Sequence, residues 1–226
     1  MNFKTAININ PQLKTIYELM DIKTFMGKDM LFNSKFSKDK NFLEKQYTMI
    51  EDCINFLKTL NEKDLHKFEC TLNDTHNIKN SINIIKGGNN LDDVGLFEVK
   101  SFCLNCKAIN FILKDLRNDN FVLASCQEII NILDPEGLEI KQFYIYSAYD
   151  KELSNKRNIF EKYKLEDNPE TDKIYAELID LENKIREKLC QSIIPFLDNL
   201  TKNLEIIALI DICFAKAKLA IDLNLV

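Results

Sequence analysis

The last stretch of the chain, Asn203 to Leu223, reads NLEIIALIDICFAKAKLAIDL. It holds no Gly and no Pro, and most of its residues are good helix formers. Leu204, Ile207, Asp211, Phe214 and Lys218 mark one side of the helix. Ile206, Leu209, Ile210, Cys213, Ala217 and Ala220 cover most of the rest. A helix that is apolar nearly all round must be buried. The earlier helices, each apolar on one face, are therefore expected to pack against it as a central strut.

The segments before it follow helical spacing. Pro11 suits the first turn of a helix, and Leu13, Ile16, Tyr17 and Met20 give it a short apolar face; a break is expected near Gly27. Leu43, Tyr47, Ile50, Ile54 and Leu57 predict one buried stripe over 37–60, with Ser37 or Asp39 as its cap. Leu65, Phe68, Leu72, Ile78, Ile82 and Ile85 predict a helix over 62–86, bent around Asn73 and Asp74. Gly87-Gly88 should stop it. A further helix runs from Asp92 or Asp93 to about Leu116, with Leu96, Val99, Cys103, Leu104, Ala108, Phe111 and Ile112 inward. The turn at 117–120 ends it.

Phe121 to Leu133 reads as a shorter helix with Val122, Cys126, Ile129, Ile130 and Leu133 inward. Asp134-Pro135-Glu136-Gly137 is a tight turn. FYIYSAY (143–149) is the one aromatic, β-leaning segment, too short and solitary for a sheet. It is expected as an extended piece across the helices. A charged helix follows over 151–165, then a break near 165–170. Ile174, Leu178, Leu181, Ile185 and Leu189 predict a long helix from Thr171 that Pro195 kinks or ends.

Among 226 residues there are only 5 Gly and 4 Pro, which favours long helices over many short strands. The net charge of −5 argues against a free-standing nucleic-acid binder. The opening MNFKTAININ lacks the pattern of a secretory leader. No apolar run approaches the ~18 residues of a membrane span. Seven scattered cysteines fit a reducing cytoplasm better than a disulfide framework. The expected location is cytoplasmic, away from membranes.

Few residues invite chemistry. Cys103-Leu104-Asn105-Cys106 is a C-x-x-C, but structural zinc usually needs four ligands and no second pair exists. It also lies within a helix, where a redox pair usually opens one. Two small buried thiols is the plain expectation. His66 and His76 stand apart in polar company. No P-loop and no G-x-G-x-x-G occurs. The tyrosines Tyr144, Tyr146 and Tyr149 could form a stacking platform for bases, but with only Lys141 and Lys151 beside them packing is the stronger reading. Asp211 is the oddity. A carboxylate on the most buried helix must be paired or hydrogen-bonded. Its expected role is a polar tie to a neighbouring helix. No residue is assigned a catalytic, cofactor-binding or metal-ligating role.

Several stretches together resemble the MutS family of mismatch-repair ATPases, in the helical core-and-lever region that precedes the ATPase domain. They are TIYELMDIKTFMGKDMLF (15–32), LDDVGLFEVKSF (91–102), LDPEGLEIKQFYIYSAYDKELSNKR (133–157) and LENKIREKLCQSIIPFLDNLTKNLEIIALIDICFAKAKLA (181–220). The family's "LD-x-x-x-AKA-x-LA" ending is matched by Ile210-Asp211, Ala215-Lys216-Ala217 and Leu219-Ala220, with Ile in place of the first Leu.

The resemblance implies an all-α helical bundle with two long lever-like helices: a helical core over 1–150, levers over 151–199 with the short break near 165–170, and a central core helix over 200–226. It implies a non-catalytic frame that couples an ATPase domain, absent here, to DNA or partner contacts. ATP and magnesium would belong to that missing domain, and homodimerisation would run through it. Double-stranded or branched DNA would be met by the full-length protein. The mismatch-reading domain is also missing and the clamp domain is cut to the short break near 165–170, which argues against direct DNA contact by this chain, so it reads as a fragment of a longer protein. Two other readings stand beside it: a helical adaptor docking a partner protein through the 171–194 helix, and a small metal or redox site at Cys103 and Cys106.

Overall fold

A computed structural model describes residues 1–116, 118–165 and 168–225. The fold is all-α. Among the described residues there is no β-strand, only an isolated bridge between Asn2 and Lys35. The helices are α1 (Phe3–Ile9), α2 (Pro11–Leu19), α3 (Phe25–Asn33), α4 (Lys40–Leu57), α5 (Glu62–Asn73), α6 (Lys79–Lys86), α7 (Asp93–Ile112), α8 (Gln127–Leu133), α9 (Lys151–Leu165), α10 (Thr171–Ile193) and α11 (Leu197–Asp222). Short polar side chains start most of the early ones. Asn2, Asn10, Thr24, Asp39 and Asn61 each accept a hydrogen bond from a backbone N–H in the first turn they precede.

Several boundaries differ from expectation for identifiable reasons. The break expected near Gly27 falls earlier, at 20–24, because Thr24 caps α3 and leaves Gly27 inside its first turn. The buried stripe of α4 is rotated from the expected one. Met49, Cys53 and Phe56 are buried with Ile54, whereas Tyr47 is 67% exposed. The helix expected over 62–86 is two helices, since Asp74 ends α5 and the chain re-enters a helix only after Ile78. The helix expected over Phe121–Leu133 survives only as α8. Residues 122–126 hold no regular secondary structure, and Val122 is extended and faces solvent. Of the turn expected at 117–120, Arg117 lies outside the described residues; Asn118 caps a 3-10 turn over Asp119–Phe121. Of the break expected at 165–170, Glu166 and Asp167 lie outside them.

Other expectations coincide with the structure. Gly88 takes positive φ just after α6. In the turn at Asp134 the Gly137 N–H donates to the Asp134 carbonyl, and Gly137 has a φ of 66° that a side chain would disfavour. Of the piece expected as extended over 143–149, residues 143–146 hold no regular secondary structure, with Tyr146 extended, and Ser147–Tyr149 instead form a 3-10 turn. Pro195 sits in a 3-10 turn, Ile194–Phe196, at a position where its missing N–H leaves no helical bond broken.

Contacts group the chain into two compact units. One comprises Met1–Asn77, Asn105–Ser125 and Thr201–Val226; the other comprises Ile78–Leu104 and Cys126–Leu200. Residues 1–150, expected as one helical core, thus contribute to both.

In the first unit the apolar residues of α11 are the core. Ile207, Ala208, Ile210, Ile212, Cys213, Phe214, Ala215 and Ala217 are all buried. Phe214 sits at the centre of an aromatic cluster, its ring centre 4.7 Å from that of Phe68, 6.1 Å from Phe56 and 6.5 Å from Phe121. Ile212 and Ala215 pack with Ile22 and Leu31, against which Phe3, Tyr17, Met20 and Met30 also lie.

In the second unit α9 and α10 form an antiparallel hairpin. Phe160 stacks near Tyr175 at 5.7 Å, Lys156 pairs with Glu177, and Arg157 pairs with Glu182. Leu178, Ile185 and Leu189 of the expected stripe of α10 are buried, Ile174 and Leu181 are half-buried, and Ile193 extends the buried face. At 1.5 Å per residue this 23-residue helix is roughly 35 Å long.

Truncating Phe214 to Ala should remove a ring on which three others close. We expect a loss of about 3–5 kcal/mol, read as a lowered denaturant midpoint with unchanged slope.

Candidate functional site

Polar groups buried in helical cores are where this chain departs from plain packing, and two of them organise the molecule. In the first unit Asp211 is 1% exposed. Its Oδ2 accepts from the Thr24 N–H at 2.7 Å and the Thr24 hydroxyl at 2.7 Å, and its Oδ1 from the Lys23 N–H at 3.0 Å. The Thr24 hydroxyl in turn accepts from the Gly27 N–H. The carboxylate therefore lies against the N-terminus of α3, where the helix dipole favours negative charge. It is a tie, as expected, made to the backbone of Lys23 and Thr24 and to the hydroxyl of Thr24, the residue that caps α3.

Gly27 is part of the same arrangement. A Cβ there would stand 2.6 Å from Asp211 Oδ2 and 2.9 Å from Ile22. Only glycine lets the carboxylate approach so closely.

Burial pushes the Asp211 carboxyl above the usual carboxylate range, opposed by the bonds from Thr24 and Lys23 and by the charge of Lys28. A carboxyl whose folded value is raised favours the protonated fold. That contribution to stability is complete below the unfolded value, about 3.9, and is lost as pH rises through the folded value.

In the second unit Lys100 and Asp134 form a buried ion pair. Their side chains are 0% and 1% exposed, and Nζ stands 3.1 Å from Oδ1. The approach lies off hydrogen-bond geometry, so Oδ1 meets the ammonium as a charge. Lys100 donates instead to the Gln142 carbonyl at 2.9 Å and to the Tyr146 hydroxyl at 3.2 Å, and it lies over the Tyr146 ring. The other oxygen of Asp134 accepts from the Glu139 N–H. The pair thus holds α7, the turn at 134–137 and the segment at 142–146 to one another. Sequence reasoning singles out Asp211 but not Lys100, although both carry the same signal: one charge among apolar helical positions.

Asn203 and Asn110 were also passed over. Asn203 exchanges two hydrogen bonds with the backbone of Ala124, and Asn110 exchanges two with Leu123. These side chains take the place of a neighbouring strand for the irregular backbone there.

Of the other sequence candidates, Cys103 and Cys106 lie one turn apart on α7, and both are buried. His66 and His76 are exposed; His66 lies 3.6 Å from the Cys70 sulfur, one turn on. Among the described residues no group of three or more His, Cys, Asp or Glu is placed to hold a metal ion. Six of the seven cysteines are buried, and only Cys70 is exposed. Burial pushes the Cys53, Cys190 and Cys213 thiols up, Cys213 to about 11.

Tyr146 and Tyr149 follow the packing expectation, whereas Tyr144 is 43% exposed. Tyr146 is buried between Tyr144 and Tyr149, whose ring centres lie 4.1 and 5.8 Å away, and Tyr149 donates to the Ile132 carbonyl. Burial raises the Tyr149 phenol. No ring face of Tyr146 is left for a base. Among the described residues no helix is long and apolar enough to cross a membrane. Compared with protein-family models and with curated proteins, the chain matches none.

Lys100→Met leaves the Asp134 charge buried and should cost about 3–5 kcal/mol; adding Asp134→Asn should recover part of that loss, because the stranded charge is gone. Gly27→Ala should destabilise by about 1–3 kcal/mol through overpacking. Both are checked by equilibrium denaturation. For Asp211, the stability of the native chain relative to Asp211→Asn should decline as pH rises from about 4 towards neutrality, read from denaturation midpoints across that range.

Proposed function

We propose that the chain is the helical core-and-lever region of a MutS-like ATPase. One observation carries this reading. The polar residues inside the stretches that resemble the family are the ones that make the buried ties. Asp211 of the final stretch (181–220) holds Lys23 and Thr24 of the first (15–32). Lys100 of the second (91–102) meets Asp134 of the third (133–157). Residues that look alike because a shared frame requires them would be found in such positions. The all-α architecture and the α9–α10 hairpin support the same reading.

The role is mechanical. A rigid helical frame passes movement between its ends, and no residue here performs chemistry. The reading assigns ATP, magnesium and homodimerisation to an ATPase domain of a longer protein, which would act in the cytoplasm on double-stranded or branched DNA.

A second reading has its own observation. Tyr175 and Ile179 stand exposed one turn apart on α10, as expected of an adaptor that docks a protein through that helix.

Gel shift separates the two. Duplex and four-way-junction DNA should be retarded by the chain at low salt, with affinity falling steeply as salt rises. Lys162→Glu with Lys164→Glu, both exposed near the end of α9, should abolish the shift. Failure to retard either DNA at low salt would leave the adaptor in front.

A further inference from the structure

The first unit carries an open groove of about 720 Å³ that none of the buried ties uses. The C-terminal half of α4, the first turns of α5 and the 3-10 turn that follows α7 line it. Its apolar surface comes from Phe56, Leu60, Leu116 and Phe111, and the Phe111 ring is 64% exposed. An aromatic ring standing open in a concavity is the kind of group that anchors a docked chain. The groove is too open to enclose most of a small molecule, which a ligand pocket does. It suits a row of side chains along one face of a helix.

Its charges say which helix. Asp52, Asp64 and Asp115 line the groove. Asn118 donates to Asp52 at 2.6 Å and Asn61 to Asp64 at 2.7 Å. Amides satisfy these oxygens without neutralising them. Among the described residues none of the three carboxylates has a cation within ion-pair distance. The groove also holds two lysines, Lys67 and Lys114, the second over the Phe111 ring, 5.0 Å from its centre. Among the described residues three carboxylates thus face two ammoniums, an acidic excess of one, on a chain whose net charge is −5.

We propose that this groove docks a basic amphipathic helix of a partner protein. The partner's apolar stripe covers Phe111 and Leu60, and its lysines or arginines meet Asp52, Asp64 and Asp115. This surface is independent of the core-and-lever reading and of the α10 face that an adaptor would use.

The test uses the full chain and a fluorescent, end-blocked model helix with leucines at i, i+3, i+4 spacing and lysines elsewhere, followed by anisotropy. The native chain should bind it. Phe111→Ser should weaken binding roughly tenfold or more, as loss of a hot-spot ring does. Asp64→Asn with Asp115→Asn should weaken it several-fold. Asp172→Asn with Glu187→Gln removes the same charge from α10 and should leave binding unchanged. All the substituted groove residues are exposed, and circular dichroism checks that the variants fold. The proposal is overturned if the native chain ignores the peptide, if Phe111→Ser binds as well as native, or if the α10 control weakens binding equally. It is also overturned if the native chain sediments as a dimer that Phe111→Ser dissociates, since a second copy would then fill the groove.

Discussion

A helix sealed from water cannot leave irregular backbone beside it unsatisfied. Loops that lie against a buried helix lose their water, and each N–H and carbonyl then needs a partner. In the first unit α11 supplies those partners from its own polar residues. Asp211 takes two N–H groups of the turn before α3, and Asn203 answers both backbone groups of Ala124. The few polar residues on this apolar helix are therefore where the chain's irregular segments attach. The second unit solves the same problem with a cation: Lys100 takes the Gln142 carbonyl and faces Asp134 across the turn.

This arrangement separates what sequence could reveal from what it could not. The burial of α11 was legible because almost every face is apolar. So was the stripe of α10, whose five apolar positions recur at helical spacing. The stop at Gly87-Gly88 and the turn at Asp134 were legible because Gly and Pro act locally. Asp211 stood out as a charge in apolar company. Its partners did not, because they lie 187 and 188 residues earlier and donate through backbone, which every residue has. Met49, Cys53 and Phe56 displaced the expected stripe of α4 for a related reason. Spacing alone cannot choose between two apolar faces when the neighbour that decides is distant in sequence. The irregular run at 122–126 reads as helix in sequence because nothing in VLASC announces that Asn110 and Asn203 bond its backbone at Leu123 and Ala124.

The two ties also bear on what kind of protein this is. Both are enclosed, and their hydrogen bonds go to backbone and to the hydroxyls of Thr24 and Tyr146. A molecule whose most demanding interactions hold its own loops in place is suited to keeping shape under load. The surfaces left open to other molecules are the charged hairpin of α9 and α10 and the groove beside Phe111.

The distribution of thiols has a practical consequence. One cysteine, Cys70, faces water, and six are enclosed, with Cys53 and Cys213 on α4 and α11 held far from the thiolate form. An alkylating reagent should mark the native chain once and mark it further only as its interior opens. The number of labels per molecule thereby becomes a clock for core opening, with both units reporting, since Cys190 and Cys103 lie in one and Cys53, Cys106 and Cys213 in the other.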